Sequence, residues 1–318
     1  MRSPQGATAN PPARAWLRYA VATVALWGVW GAFAGISAQR GFPDTLVYCV
    51  WSLTMIPPAL IVVARSGWRI DRSPRAVMYG LAIGLLGAGG QMILFYALTI
   101  GPPWLIFPII SLSPAVTIVM SYLLLAERTS RLGALGIALA LAAVPFFDFS
   151  LQGLAAGQGF GWLALSLFVM ACWGVQAFFM KLANEHMGAE SIFFYMMLTG
   201  LMLAPVAWAM TDFSKPVNWA ADGPYLAAVI QSLNAIGALL LVYAFRYGKA
   251  IVVAPLTNAG APLMTALIAL LVTQVMPGPL KLLGIGLSLA AAVLLSLAEA
   301  GNDSTEGAAT VAAETGSR

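Results

Sequence analysis

With 318 residues, 60% of them hydrophobic and only 9% charged, this chain falls far below the roughly 25% charge of soluble domains. That excludes an ordinary water-soluble core and makes lipid its solvent. The formal net charge of +4 does not point to nucleic acid, because the basic residues lie between apolar segments rather than along one face.

Residues 1–15 are rich in Pro, Ala and Gly and carry Arg2 and Arg14, which predicts a disordered, cytoplasmic N-terminus. No short apolar run with a cleavage site precedes the first long segment, so no removable signal peptide is expected. Ten apolar stretches follow, at 16–38, 45–64, 76–100, 102–125, 132–149, 160–182, 191–210, 224–247, 249–273 and 278–298. Each is about the length that crosses a roughly 30 Å hydrocarbon layer as a helix. They are called spans 1 to 10 below. Residues 299–318 are polar and small, which predicts a disordered cytoplasmic tail. The cysteines, Cys49 and Cys172, both fall inside apolar stretches, so a disulfide framework is not expected. The class expected is an all-α polytopic membrane protein with ten transmembrane helices.

Basic residues set the orientation. With the N-terminus in the cytoplasm, 13 of the 16 Lys and Arg residues fall on that side, and only Arg40, Lys215 and Lys281 on the other. This predicts a multi-pass protein of a bacterial-type inner (plasma) membrane, with both termini cytoplasmic.

One motif is written twice. Tyr96-Ala97-Leu98-Thr99-Ile100-Gly101, followed by Pro108 and Pro114, recurs as Tyr243-Ala244-Phe245-Arg246-Tyr247-Gly248, followed by Pro255 and Pro262. The offset is 147 residues, rising to 148 at the second proline. Trp27-Gly28-Val29 recurs as Trp173-Gly174-Val175, and Asp44, Gly90 and Gly136 have counterparts in Glu190, Gly237 and Gly284. Two repeats of five helices result, at 16–149 and 160–298. Five is odd, so the second copy enters the membrane upside down. The charges agree: the turn at Gly101-Pro102-Pro103 is uncharged, whereas its counterpart carries Arg246 and Lys249.

This arrangement resembles the drug/metabolite transporter superfamily, in particular its EamA-type permeases. The residues carrying the resemblance are Trp27-Gly28 and Trp173-Gly174, Gly101/Pro108/Pro114 and Gly248/Pro255/Pro262, and Ala126-Glu127-Arg128 followed by Gly133 and Gly136. Gln274 departs from the pattern, since the second half often has an acid there. The resemblance implies a central cavity lined by spans 1, 3, 4, 6, 8 and 9, with alternating access from the two membrane faces. It implies no single cargo.

The predicted substrate-binding set is polar and aromatic: Trp27, Trp30, Gln91, Tyr96, Ser111, Trp173, Gln176, Gln231, Asn234, Tyr243 and Asn258. Pro108 and Pro114 are expected to kink span 4, and Pro255 and Pro262 span 9, each removing a backbone hydrogen bond. Ser111 and Ser113 lie between the first pair and Thr257 and Asn258 between the second, with Ser111 and Asn258 expected to be quasi-equivalent. The amides serve equally as interhelical hydrogen-bonding groups. Trp27 and Trp30, three apart, share a face suited to stacking on a ring or a cation. Trp51, Trp104, Trp162 and other tryptophans nearer span ends are read as interfacial. Gly31/Gly35 and Gly80/Gly84 have the spacing that packs helices within or between chains. A monomer suffices and a dimer is possible.

No carboxylate is placed near the centre of a span, so the buried acid of proton-driven exporters of hydrophobic cations is missing. His186, the single histidine, sits at a span end. A catalytic set and a metal cluster are both absent from the spans, so no enzyme and no cofactor are expected. The function expected is an alternating-access transporter or facilitator of a small metabolite, such as an amino acid, amine or other small polar or aromatic solute. The alternative is a lipid-linked solute carrier or flippase, which needs a lateral opening lined by basic residues.

Overall fold

The computed structural model of the chain describes residues 15–100, 106, 109–143, 145–148, 161–273 and 278–315. Every element among them is a helix. The first half contains α1 (Ala15–Phe33), α2 (Ile36–Gln39), α3 (Asp44–Thr54), α4 (Ile56–Arg65), α5 (Pro74–Ile100), α6 (Ser113–Leu124), α7 (Arg131–Ala143) and α8 (Pro145–Asp148). The second contains α9 (Gly161–Asn184), α10 (Ala189–Ala209), α11 (Pro224–Tyr247), α12 (Ala250–Thr273) and α13 (Pro279–Thr315). Seven stretches are long and apolar enough to cross a membrane: Ala15–Gln39, Asp44–Arg65, Pro74–Leu94, Gly161–Asn184, Ala189–Ala209, Pro224–Tyr247 and Ala250–Val272. Three further apolar helices, Ser113–Leu124, Arg131–Ala143 and Pro279–Leu295, are shorter.

Proline explains several departures from uninterrupted spans. Span 2 breaks at Met55 because Pro57 and Pro58 open α4, where their missing N–H groups have no intrahelical partner to lose. Pro145 likewise begins α8 just after α7 ends. The kink expected at Pro114 is corrected. A turn at Ser111–Leu112 precedes α6, and Pro114 occupies the first turn of that helix rather than its interior. Pro108, Gly101, Trp104 and Gln274 lie outside the described residues. Only the second copy has the expected form, with Pro255 and Pro262 both inside α12. At the other extreme α13 runs on through Thr315, beyond the polarity change at Glu299 where composition predicts a disordered tail. Alanine and glutamate there are strong helix formers.

The two halves interlock rather than sit side by side. Helix α1 packs on α11 and α12, and α9 packs on α5 and α6. Helix α3 meets α11, α10 meets α5, and α7 meets α13. The same contacts are made twice with the partners exchanged, which is the mark of a twofold relation. Trp27 Nε1 donates to the Asn234 carbonyl at 3.2 Å, and Trp173 Nε1 to the Gly87 carbonyl at 3.3 Å. Both indoles lie over a glycine: a Cβ at Gly237 would come within 2.5 Å of Trp27, and one at Gly90 within 2.7 Å of Trp173. Thr265 Oγ1 donates to Gly28 O and Thr117 Oγ1 to Gly174 O, each at 2.9 Å. At the helix starts, Gly188 N–H donates to Asp71 Oδ2 at 2.8 Å, and in the counterpart Asn218 N–H donates to Gly41 O at 3.0 Å. The Gly80/Gly84 face is filled by Tyr195 and Thr199 of the same chain.

The largest apolar core lies where the helix ends bearing Arg18, Arg75, Lys181, Arg246 and Lys249 meet. Tyr19 stacks there between Tyr243 and Tyr247, with centroids 5.2 and 5.7 Å away. The Tyr243 hydroxyl donates to Glu190 Oε1 at 2.6 Å. Smaller clusters close the opposite end, one around Leu94, Ala97, Ile106, Ile110 and Val169 and another around Phe42, Leu46, Val47 and Ala227.

Candidate functional site: an uncharged cavity between the halves

Above the basic-end core the interlocked helices leave a cavity of about 270 Å³. This is slightly below the range of ~300–1,000 Å³ typical of drug-sized ligand sites, so it suits a small solute. Met180, Leu241 and Phe245 lie on its side toward the basic end. Its walls hold Trp27 and Trp30 of α1, Gly84, Gly87 and Gln91 of α5, Ser113 and Thr117 of α6, Trp173 and Gln176 of α9, Asn234 of α11, and Thr257 and Asn258 of α12. These are the helices the sequence resemblance implies, joined by Trp51 of α3 and Met196 of α10. Among the described residues no lining side chain is charged.

Of the predicted residues, Trp27, Trp30, Gln91, Trp173, Gln176, Asn234 and Asn258 come together here. Four do not. Gln231 is 5% exposed and stands behind Trp30, whose Nε1 donates to its Oε1 at 3.2 Å. Tyr243 is held in the basic-end aromatic stack. Tyr96, its sequence counterpart, is 52% exposed and off the cavity. Ser111 sits in the turn before α6, and that break replaces it with Ser113 and Thr117 in the wall. The quasi-equivalence expected of Ser111 and Asn258 therefore does not hold.

Two lining groups were not legible in the sequence. Trp51 lies near the middle of an interrupted span, and its interfacial reading is corrected: the indole turns inward, and its Nε1 donates to Asn234 Oδ1 at 3.2 Å. A tryptophan seven residues into a span and six before a Pro-Pro break is the signal that separates it from an interfacial one. Thr117, four residues from Ser113 and thus on the same helix face, was the other.

The carboxylates are employed elsewhere. Glu127 accepts from Ala250 N–H at 3.1 Å and Ile251 N–H at 3.0 Å, capping α12 from the other half. Asp71 binds the start of α10 through Gly188 and Ser191. Asp222 pairs with Arg40 at 3.5 Å. Asp212, in the loop before α11, is held below the ordinary carboxylate value by hydrogen bonds from the Ser214 hydroxyl and N–H, with nearby Lys215 adding to the effect. His186 is exposed and stacks on Tyr79 at 6.0 Å. Among the described residues no three His, Cys, Asp or Glu side chains gather as a metal site.

The model of the EamA-like transporter family matches twice, over residues 14–147 and again over 160–297. The chain belongs to the EamA-like transporter family. It is thus a multi-pass membrane protein of a transporter family rather than of an enzyme family, and its two matched segments are the ones joined by the reciprocal contacts. One solved crystal structure is similar to this EamA-family chain with a TM-score of 0.70 at 18% identity, covering 89% of this chain and 96% of that one. At that identity the likeness concerns the fold alone. Among curated proteins no relative matches the chain.

Proposed function

We propose that this EamA-family transporter moves a small neutral or zwitterionic solute with a flat, polar or aromatic body by alternating access. The observation that carries the reading is the cavity itself. It is walled by tryptophans and amides from both halves, which suits ring stacking and hydrogen bonding, and among the described residues by no charge that would favour an anion or a simple cation. On this reading the three shorter apolar helices are also membrane spans, giving ten in two oppositely inserted halves. The excess of basic residues puts both termini in the cytoplasm of a bacterial-type inner membrane. The lipid-linked alternative calls for basic residues along the solute path, and the described lining has none.

The test is uptake of labelled amino acids, amines, nucleobases and sugars into proteoliposomes holding the purified protein. At least one class should accumulate or exchange, and Asn258→Ala should cut that flux at least tenfold at equal folded protein. Absence of flux and binding across the whole panel would sink the proposal.

A further inference from the structure

Four cavity tryptophans, Trp27, Trp30, Trp51 and Trp173, donate to neighbouring helices through indole N–H, a group that can only donate. That one-way chemistry fixes amide orientations that are otherwise ambiguous. Trp51 Nε1 lies 3.2 Å from the Asn234 side chain, so the atom facing it must be Oδ1. The Asn234 Nδ2 is then directed away from Trp51, and it has no hydrogen-bond partner among the described residues. The adjacent backbone is committed too, since Asn234 O accepts from Trp27 Nε1. Elsewhere in the lining Asn258 is fixed in the opposite sense. Its Nδ2 donates to the Ala254 carbonyl of its own helix at 3.0 Å, because a carbonyl can only accept. Its Oδ1 is left without a partner among the described residues. Both asparagines line the cavity.

We propose that Trp51 is a positioning residue that locks the Asn234 amide, so that the cavity reads its solute with a fixed donor at Asn234 and a fixed acceptor at Asn258. The ligand class follows. It is a compact solute whose flat body carries a carbonyl or carboxylate oxygen for Asn234 and an N–H group for Asn258. Molecules with only one of the two leave a cavity amide unpaired. The lock joins the two halves, Trp51 from the first and Asn234 from the second, and it occurs only once. Position 234 has Gly87 as its repeat counterpart, so the opposite wall cannot offer the same group. The polarity of the site is therefore a property of this chain's asymmetry and not of its repeat. This inference rests on the cavity being the solute site.

Three neutral probes of one size separate the terms. Benzamide has both groups, acetophenone only the acceptor, and aniline only the donor. Equilibrium binding to purified protein should favour benzamide over each of the others by about fivefold, the usual worth of one neutral hydrogen bond. Trp51→Phe keeps a ring but removes the donor. It should weaken benzamide and acetophenone while leaving aniline unchanged. Asn258→Leu should erase the preference of benzamide over acetophenone. The lock itself is read without ligand, from the exchange rate of the Trp51 indole N–H in ¹⁵N-labelled protein. Asn234→Asp should keep it slow, and Asn234→Leu should speed it. An unchanged benzamide-to-aniline ratio in Trp51→Phe overturns the proposal, as does equal binding of all three probes or binding of none. Indole exchange that is as fast in wild type as in Asn234→Leu also overturns it. If those results coincide with robust flux in proteoliposomes, the transporter reading stands and only the polarity is wrong.

Discussion

Removing the Glu127 carboxylate should destabilise the fold measurably, although the residue lies far from the cavity centre. Its two oxygens accept from Ala250 and Ile251 at 3.1 and 3.0 Å, the first N–H groups of α12. Those donors have no partner within the helix, and a negative charge there also complements the helix dipole. Hydrogen bonds to charged groups contribute about 1.5–3 kcal/mol in full burial. Glu127 is only half-buried, so the lower range measured for helix caps, about 0.5–2 kcal/mol, is the better guide. Glu127→Ala should therefore cost about 2 kcal/mol, and Glu127→Gln, which keeps one acceptor, about 1 kcal/mol. For a chain of this size that corresponds to falls in Tm of roughly 3 °C and 1.5 °C. Thermal unfolding in detergent, followed by tryptophan fluorescence and by loss of the monodisperse peak, reads both. Arg128→Ala is the control, because its exposed guanidinium over the Tyr122 ring should contribute less than about 1 kcal/mol. A Tm for Glu127→Ala within about 1 °C of wild type would refute the capping account.

The reciprocal contacts predict paired outcomes. Gly237→Ala and Gly90→Ala each drive a methyl into a tryptophan ring, and each should cost about 1–3 kcal/mol, seen as a lower Tm. If one is silent while the other is severe, the twofold relation is structural decoration rather than shared support. Thr265→Val and Thr117→Val remove equivalent interhelical hydrogen bonds, and each should cost about 0.6 kcal/mol in unfolding titrations.

Seven of the ten expected spans were legible because apolar length is forced by the bilayer, and the halves because Trp-Gly and Tyr-Ala…Gly…Pro…Pro are written twice. What those repeated residues do was not legible. Trp27 and Trp173 read as substrate-binding groups, yet each also spends its N–H on the facing helix and its ring on a glycine notch. A wide apolar helix hides which stripe faces protein, because lipid and protein core are equally apolar. Hence Trp51 passed as interfacial and Gln231 as a wall residue. Position 111 failed for a different reason. The offset slips from 147 to 148 between the two prolines, and a turn absorbs the difference, so equal spacing on paper is not equal placement in space.

That slip marks where the halves part company. Scaffold contacts are shared, whereas span 9 is a continuous capped helix and span 4 is broken. The sequence carries a reason. Glu127 finds donors at Ala250 and Ile251, whose repeat counterparts are Pro103 and Trp104, and Pro103 has no N–H to offer. An acid at position 274, where the second half often has one and beside Val275, the counterpart of Glu127 at the 148-residue offset, could gain at most one of the two bonds, and the chain has Gln274 there. Gln274→Glu should thus raise Tm by less than about 1.5 °C, at most half of what Glu127→Ala removes. A gain as large as the Glu127 loss would mean that the missing acid, and not the proline, is what separates the two ends of the transporter. In that event Pro103→Ala alone should change nothing, and if the proline is decisive, Pro103→Ala with Gln274→Glu should exceed the sum of the two single changes.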